Sequence, residues 1–110
     1  MANTFKRQLS RSIGTSATSV GSYTVPSSTE VTVIGLDLAN RTASQVLVDV
    51  TINDGANSTY LVYQAPVPSG GSLVVVGGDQ KVVLEPNDSI EVKSDTASSV
   101  DVVMSILEIT

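Results

Sequence analysis

Most enzymatic chemistry needs a side chain that titrates near neutrality or a soft metal ligand, and this chain of 110 residues contains no histidine and no cysteine. Ser-His-Asp triads, Cys-His pairs and imidazole or thiolate metal sites are thereby excluded. The 27 serines and threonines are hydrogen-bonding groups unless a base activates them, which leaves Lys81 and Lys93 for a Ser-Lys arrangement. Eleven acids offer pairs for glycoside hydrolysis, but a sugar cleft usually has aromatic walls. Beyond residue 19 the aromatic residues are only Tyr23, Tyr60 and Tyr63, and strand alternation puts Tyr60 and Tyr63 on opposite faces. "GGDQK" at 77–81 lacks the Gly-Lys-Ser/Thr ending of a phosphate loop and precedes a strand, so it reads as a tight connection. Asp49, Asn53, Asp54 and Asn57 are oxygen ligands of the kind calcium takes. Their spacing is not that of an EF-hand, and a hairpin turn uses the same residues. Triplets of Asn-x-Ser/Thr at Asn40, Asn57 and Asn87 read as turns. No catalytic, cofactor-binding or metal-ligating set emerges, so a non-enzymatic protein without a cofactor is expected.

The elements that carry these residues are strands. Valine is the commonest apolar residue, at 18, and its stiff β-branched side chain favours a pleated sheet. From Val20 onward, turn signals recur every eight to twelve residues, as in an all-β fold. "VGSYTVP" reads as a first strand stopped by Pro26. "STEVTVIGLDLAN" follows, with Ile34, Leu36 and Leu38 on one side. In "QVLVDVTIN", Val46, Val48, Val50 and Ile52 alternate with Asp49 and Thr51. "TYLVYQA", "SLVVVGG", "QKVVLEP", "SIEVKS" and "SVDVVMSILEI" complete eight strands, which suits an antiparallel two-sheet sandwich of jelly-roll or Greek-key type over residues 20–110.

Residues 1–19 are read as an N-terminal arm. Phe5, Leu9 and Ile13 recur every four residues and could form one stripe of a short helix that orders only against a partner. Lys6, Arg7 and Arg11 give residues 1–13 a charge of +3. The remaining residues carry 3 basic against 11 acidic groups, a charge of −8. A basic arm on an acidic body suits docking on an acidic neighbour, including another copy of the body. Broad nucleic-acid binding needs a basic face and is not expected. No apolar stretch of signal-peptide or membrane-spanning length occurs, so no membrane association is expected.

The last strand is apolar on both sides. Val100, Val102, Met104 and Ile106 make one face, and Val103, Leu107 and Ile109 make the other. A strand of that kind is covered on both sides. The second cover would be a subunit interface or the arm, unless a bulge rotates the strand.

The order of segments "TFKRQLSRSIGTS", "YTVPSSTEVTVIGLDLANRTASQVLVDVTI", "YLVYQAPVPSGGSLVVVGGDQKVVLEPNDSIEVKS" and a closing "SILEIT" resembles a family of small virion structural proteins of tailed bacteriophages. The resemblance covers essentially the whole chain and brings no catalytic residues with it. It implies a homo-oligomer, trimer or ring, that joins other virion proteins, made in the host cytoplasm and placed in the phage particle. Decoration or cementing of the capsid or neck is the first expectation; a tail, baseplate or fibre-attachment component is the second. A carbohydrate-binding or adhesion module on the same sandwich is an expectation of another class. A small-molecule substrate is not expected. The arm residues Phe5, Lys6, Arg7, Leu9, Arg11 and Ile13 would bind the partner, and Val103, Leu107 and Ile109 would form the subunit interface.

Overall fold

A computed structural model describes residues 3–77 and 81–110. Nine strands are present among them: β1 (Asn3–Ile13), β2 (Thr18–Ser19), β3 (Glu30–Asn40), β4 (Val46–Asn53), β5 (Ser58–Val67), β6 (Ser72–Val76), β7 (Val82–Leu84), β8 (Ser89–Ser94) and β9 (Val100–Ile109). One sheet runs β1-β9-β3-β6, with β7 also on β3, and the other runs β2-β8-β4-β5. All pairs are antiparallel. The pairs β4·β5, β3·β6, β3·β7, β2·β8 and β1·β9 are nested in sequence, as in one long hairpin. Rolling that hairpin adds β3·β9 and β4·β8. The expected all-β sandwich is thus formed, and its path is that of a jelly roll.

Valine alternation builds the core. Val46, Val48 and Val50 of β4 and Val100, Val102, Met104 and Ile106 of β9 are all buried between the sheets. In β3 the expected run is broken by one extra residue. Val33 pairs with Ile106 but Gly35 with Ser105, so Ile34 is a bulge. Val31 and Val33 face the core before it and Leu36 and Leu38 after it, while Ile34 is left half-buried.

Two expectations are corrected. Residues 3–13 are a strand, not a helical stripe: Asn3 to Ser10 pair in register with Ile109 to Val102 of β9. Isolated helices this short are marginal, and the open edge of β9 offers hydrogen bonds along the whole stretch. The arm is therefore an edge strand of the larger sheet, and its last residue, Ile13, is core. "VGSYTVP" forms no strand. Val20–Ser22 make a single 3-10 turn, and Val25 exchanges backbone bonds only with Asn87 and Asp88. Gly21 takes φ +63, donates its N–H to Ser10 Oγ at 2.8 Å, and a Cβ there would fall 2.5 Å from Gln8 Oε1. The turn packs this closely on β1 only because the residue is glycine.

A buried charge fastens β1 at its far end. Glu108 on β9 is 7% exposed. It accepts a hydrogen bond from the Tyr23 hydroxyl and pairs with Lys6 Nζ at 2.9 Å. The Tyr23 bond, and after it Lys6, hold the Glu108 carboxyl below its ordinary value. Burial, then the Glu108 hydrogen bond, push the Tyr23 phenol well above its own. Asn40 closes the other end of β3. Its Nδ2 donates to the carbonyls of Ser44, Val67 and Pro68, and its Oδ1 accepts from Thr42 N–H and Oγ1–H.

Two outcomes follow. Asn40→Ala removes one donor from each of three carbonyls and the acceptor of Thr42, and is expected to destabilise by about 2 kcal/mol, read from urea midpoints. Glu108→Gln tests the charge. A depressed carboxyl stabilises above its unfolded value and loses that contribution as pH falls through the folded one. The wild type should therefore exceed Glu108→Gln in urea midpoint at pH 7, and the two should converge well below the ordinary value of 4.5. A gap that ignores pH would show that charge plays no part.

Candidate functional site

The pairing of β1 with β9 brings the two sets of candidate residues onto one surface. Phe5 lies opposite Leu107, Arg7 opposite Ser105 and Leu9 opposite Val103. These side chains point away from the core, because the alternate residues Val102, Met104 and Ile106 point into it. The rows continue across the sheet. Leu107 pairs with Thr32 and Thr32 with Val83; Val103 pairs with Asp37 and Asp37 with Val74. The outer face thus carries two apolar strips, Phe5–Leu107–Thr32–Val83 and Leu9–Val103–Asp37–Val74. Between them, Arg7, Ser105 and Gly35 form a lower row, and a Cβ at Gly35 would meet only Ser105.

The strips are open to solvent. Phe5 is 75% exposed, Val74 and Val83 64% each, Val103 48% and Leu9 44%, while Leu107 and Ile109 are half-buried. Neighbouring strands cover β9 at its edges, not on this face, so β1 does not supply the second cover. Val74 and Val83 were not singled out in the sequence, although "LVVV" and "KVVL" are apolar at both parities, the same signal that marked β9.

Of the other arm residues, Lys6 lies on the opposite side of β1 and is engaged by Glu108, and Ile13 is 2% exposed in the core. The Lys6 side chain stays about half exposed beside that ion pair. Arg11 sits at a bulge. Ser10 pairs with Val102 but Ile13 with Val100, leaving an extra residue opposite Asp101. Asp101 Oδ1 accepts the N–H of Ser12, which has φ +56, and Arg41 donates to Ser12 Oγ at 2.6 Å and pairs with Asp101 at 3.7 Å. A depression of about 310 Å³ opens here, lined by Leu9, Arg11, Arg41, Asp101 and Val103 among others.

The smaller sheet's outer face differs. Its β5 strand contains two extra residues: Thr51 pairs with Tyr60, Val50 with Val62 and Val48 with Ala65. The first insertion, at Leu61, changes the parity between Tyr60 and Tyr63, and the rings, expected on opposite faces, meet edge-to-face with centroids 4.8 Å apart. Gln64 in the second bulge has φ +49, and Asp49 Oδ1 accepts its N–H at 2.7 Å. A depression of about 220 Å³ beside the rings is lined by Asp49, Thr51, Ser58, Tyr60, Glu91 and Lys93, together with Ala17 and Val92.

The candidate calcium residues are used by the chain itself. Asn53 Oδ1 accepts from Gly55 N–H, and Asp54 Oδ1 from Ala56 and Asn57 N–H, which closes the β4–β5 turn. The Asn57 and Ala56 amides hold the Asp54 carboxyl below its ordinary value. Of "GGDQK", Gly78, Asp79 and Gln80 lie outside the described residues. No described helix is long and apolar enough to cross a membrane.

No family model matches the chain, and no curated protein matches it in sequence. Solved structures do match in shape. A chain from the disulfide-linked pili of Bacillus endospore appendages superposes with a TM-score of 0.59 at 14% identity, covering 98% of this chain and 88% of its own. A chain of the acidic stable capsid structure of Helicobacter pylori bacteriophage KHP30 superposes with a TM-score of 0.59 at 13% identity, covering 100% and 89%. At these identities the likeness establishes a shared fold.

Proposed function

We propose that this protein is a non-enzymatic structural component of a phage virion that associates with copies of itself through the outer face of its larger sheet. The observation that carries the proposal is the pair of apolar strips joining β1, β9, β3, β6 and β7. Five large apolar side chains more than two-fifths exposed on one sheet are costly in a free monomer and favourable at a contact. A second copy is the fitting occupant on charge as well. The face carries Arg7 on β1 and Asp37 on β3, and the chain divides into a basic first 13 residues and an acidic remainder. The edge strand β1 carries the charged residues Arg7 and Arg11, which oppose addition of a further strand there and favour the face as the route of association.

Both structural neighbours support a part in a built assembly, one described as pili and the other as a capsid. Decoration or cementing of the capsid or neck is the role within the particle that best suits the chain. A small valine-cored sandwich offers a fixed shape and few titrating groups, and many weak copies in a ring or lattice hold by avidity.

Light scattering after size exclusion tests the association. The expected mass is a defined multiple of 11.4 kDa. Leu9→Asp and Val103→Asp, both at exposed positions, should keep the β-sheet circular dichroism and weaken association more than tenfold, since each buried aliphatic contributes roughly 1.5–3 kcal/mol. A monomeric wild type, or variants that assemble unchanged, would overturn the proposal.

A further inference from the structure

The outer face of the smaller sheet carries a combination of groups that the assembly reading leaves unused. Tyr60 and Tyr63 are 54% and 62% exposed and hold each other edge-to-face, so one ring braces the other while both keep open surface. Alongside them, Tyr60 is opposite Thr51 and Thr51 opposite Glu91, and Asp49 is opposite Lys93. Tyr60 thus borders a depression whose lining includes hydroxyl, carboxylate and ammonium groups, with Tyr63 behind the Tyr60 ring. Asn53 Nδ2 donates to Glu91 Oε1 at 3.3 Å, which orients that carboxylate on the sheet. A second depression of about 130 Å³ adjoins it, sharing Asp49 and Lys93 and adding Gln64 and Asp95.

The backbone is bent to make this arrangement. Without the extra residue at Leu61, Tyr60 and Tyr63 would stand on opposite faces, and a second extra residue follows directly after the rings. The chain keeps Gln64 at φ +49, a conformation that side-chain-bearing residues rarely take. Asp49, one of the residues lining the depression, accepts the Gln64 N–H that stabilises it. Strain of this kind persists where the surrounding structure holds it, and it gathers at binding sites.

We propose that this face is a saccharide-binding site for a neutral pyranose, with a sugar face stacked on the Tyr60 ring, which Tyr63 braces edge-to-face. A pyranose presents C–H groups on one face, which suit the negative face of an aromatic ring. Its hydroxyls both donate and accept, and so match Asp49 and Glu91 as acceptors, Lys93 as donor and Thr51 as either. The chemistry fits other occupants less well. Nucleic acid would bring phosphates to two carboxylates, and a second copy would find few apolar groups around the rings. The site does not depend on the assembly face, which lies on the other sheet.

The test is an array of neutral hexose and N-acetylhexosamine oligosaccharides. It is followed by titration of the bound oligosaccharides against intrinsic tyrosine fluorescence, which Tyr23, Tyr60 and Tyr63 supply in a chain without tryptophan. Wild-type protein is expected to bind at least one such oligosaccharide. Tyr60→Ala and Tyr63→Ala should lose at least tenfold in affinity on the array with unchanged circular dichroism. Tyr60→Phe should retain stacking, and Val103→Asp should bind in titration as the wild type does, separating this site from self-association. An array without signal, or binding that survives both alanine variants, would overturn the proposal.

Discussion

Every face of this protein is set by one constraint: along a strand, successive side chains point to opposite sides, and one inserted residue reverses all that follow. The chain uses insertions at several places. Ile34 in β3 keeps Val31 and Val33 in the core alongside Leu36 and Leu38. Two others are held by the same device in different sheets. Asp101 accepts the N–H of Ser12 in the β1 bulge, and Asp49 accepts the N–H of Gln64 in the β5 bulge. In each case a carboxylate on the partner strand satisfies the amide of a residue with positive φ. A left-handed residue without such a partner would both strain the backbone and leave a donor unpaired.

The jelly-roll path makes β1 the outermost layer of the nested hairpin, since its partner β9 lies at the opposite end of the sequence. Closing that pair fixes the longest loop in the fold, so it has the greatest entropy to overcome. Two anchors meet that demand. At one end Ile13 enters the core, and its carbonyl accepts the Ser99 N–H. At the other, Lys6 and Tyr23 converge on Glu108. The outer face of the larger sheet is therefore complete only when β1 is paired with β9. Removing β1 would take Phe5 and Leu9 from that face and Ile13 from the core.

Much of this was legible in the residues. The Val46–Ile52 alternation marked β4 correctly, and the doubly apolar β9 pointed to a face needing cover. The all-β sandwich followed from valine content and turn spacing. What was not legible depended on pairings distant in sequence. The four-residue spacing of Phe5, Leu9 and Ile13 fits a helix or, with one bulge, a strand, because Ile13 is one step out of the alternation that holds Phe5 and Leu9 outward. Only the open edge of β9 decides between them. The tyrosine pair was missed for the same reason. Regular alternation would put the two rings on opposite faces, and nothing local in "TYLVYQA" announces the extra residue at Leu61 that brings them to one side.

The finished sandwich has two outer faces of different chemistry, and the difference follows from which strands bear polar alternates. On the smaller sheet the residues between the core valines are Asp49, Thr51, Glu91 and Lys93, all able to remain in water. On the larger sheet the corresponding places hold Phe5, Leu9, Val74, Val83, Val103 and Leu107, with Arg7, Thr32, Asp37 and Ser105 among them. Burial favours the second set and hydration the first. A sandwich with this asymmetry lowers its free energy when the larger sheet meets a neighbour and the smaller sheet turns outward. On the proposed self-association, the same asymmetry would set an orientation as well as a contact, with the apolar face toward the neighbour and the tyrosines and carboxylates toward the medium.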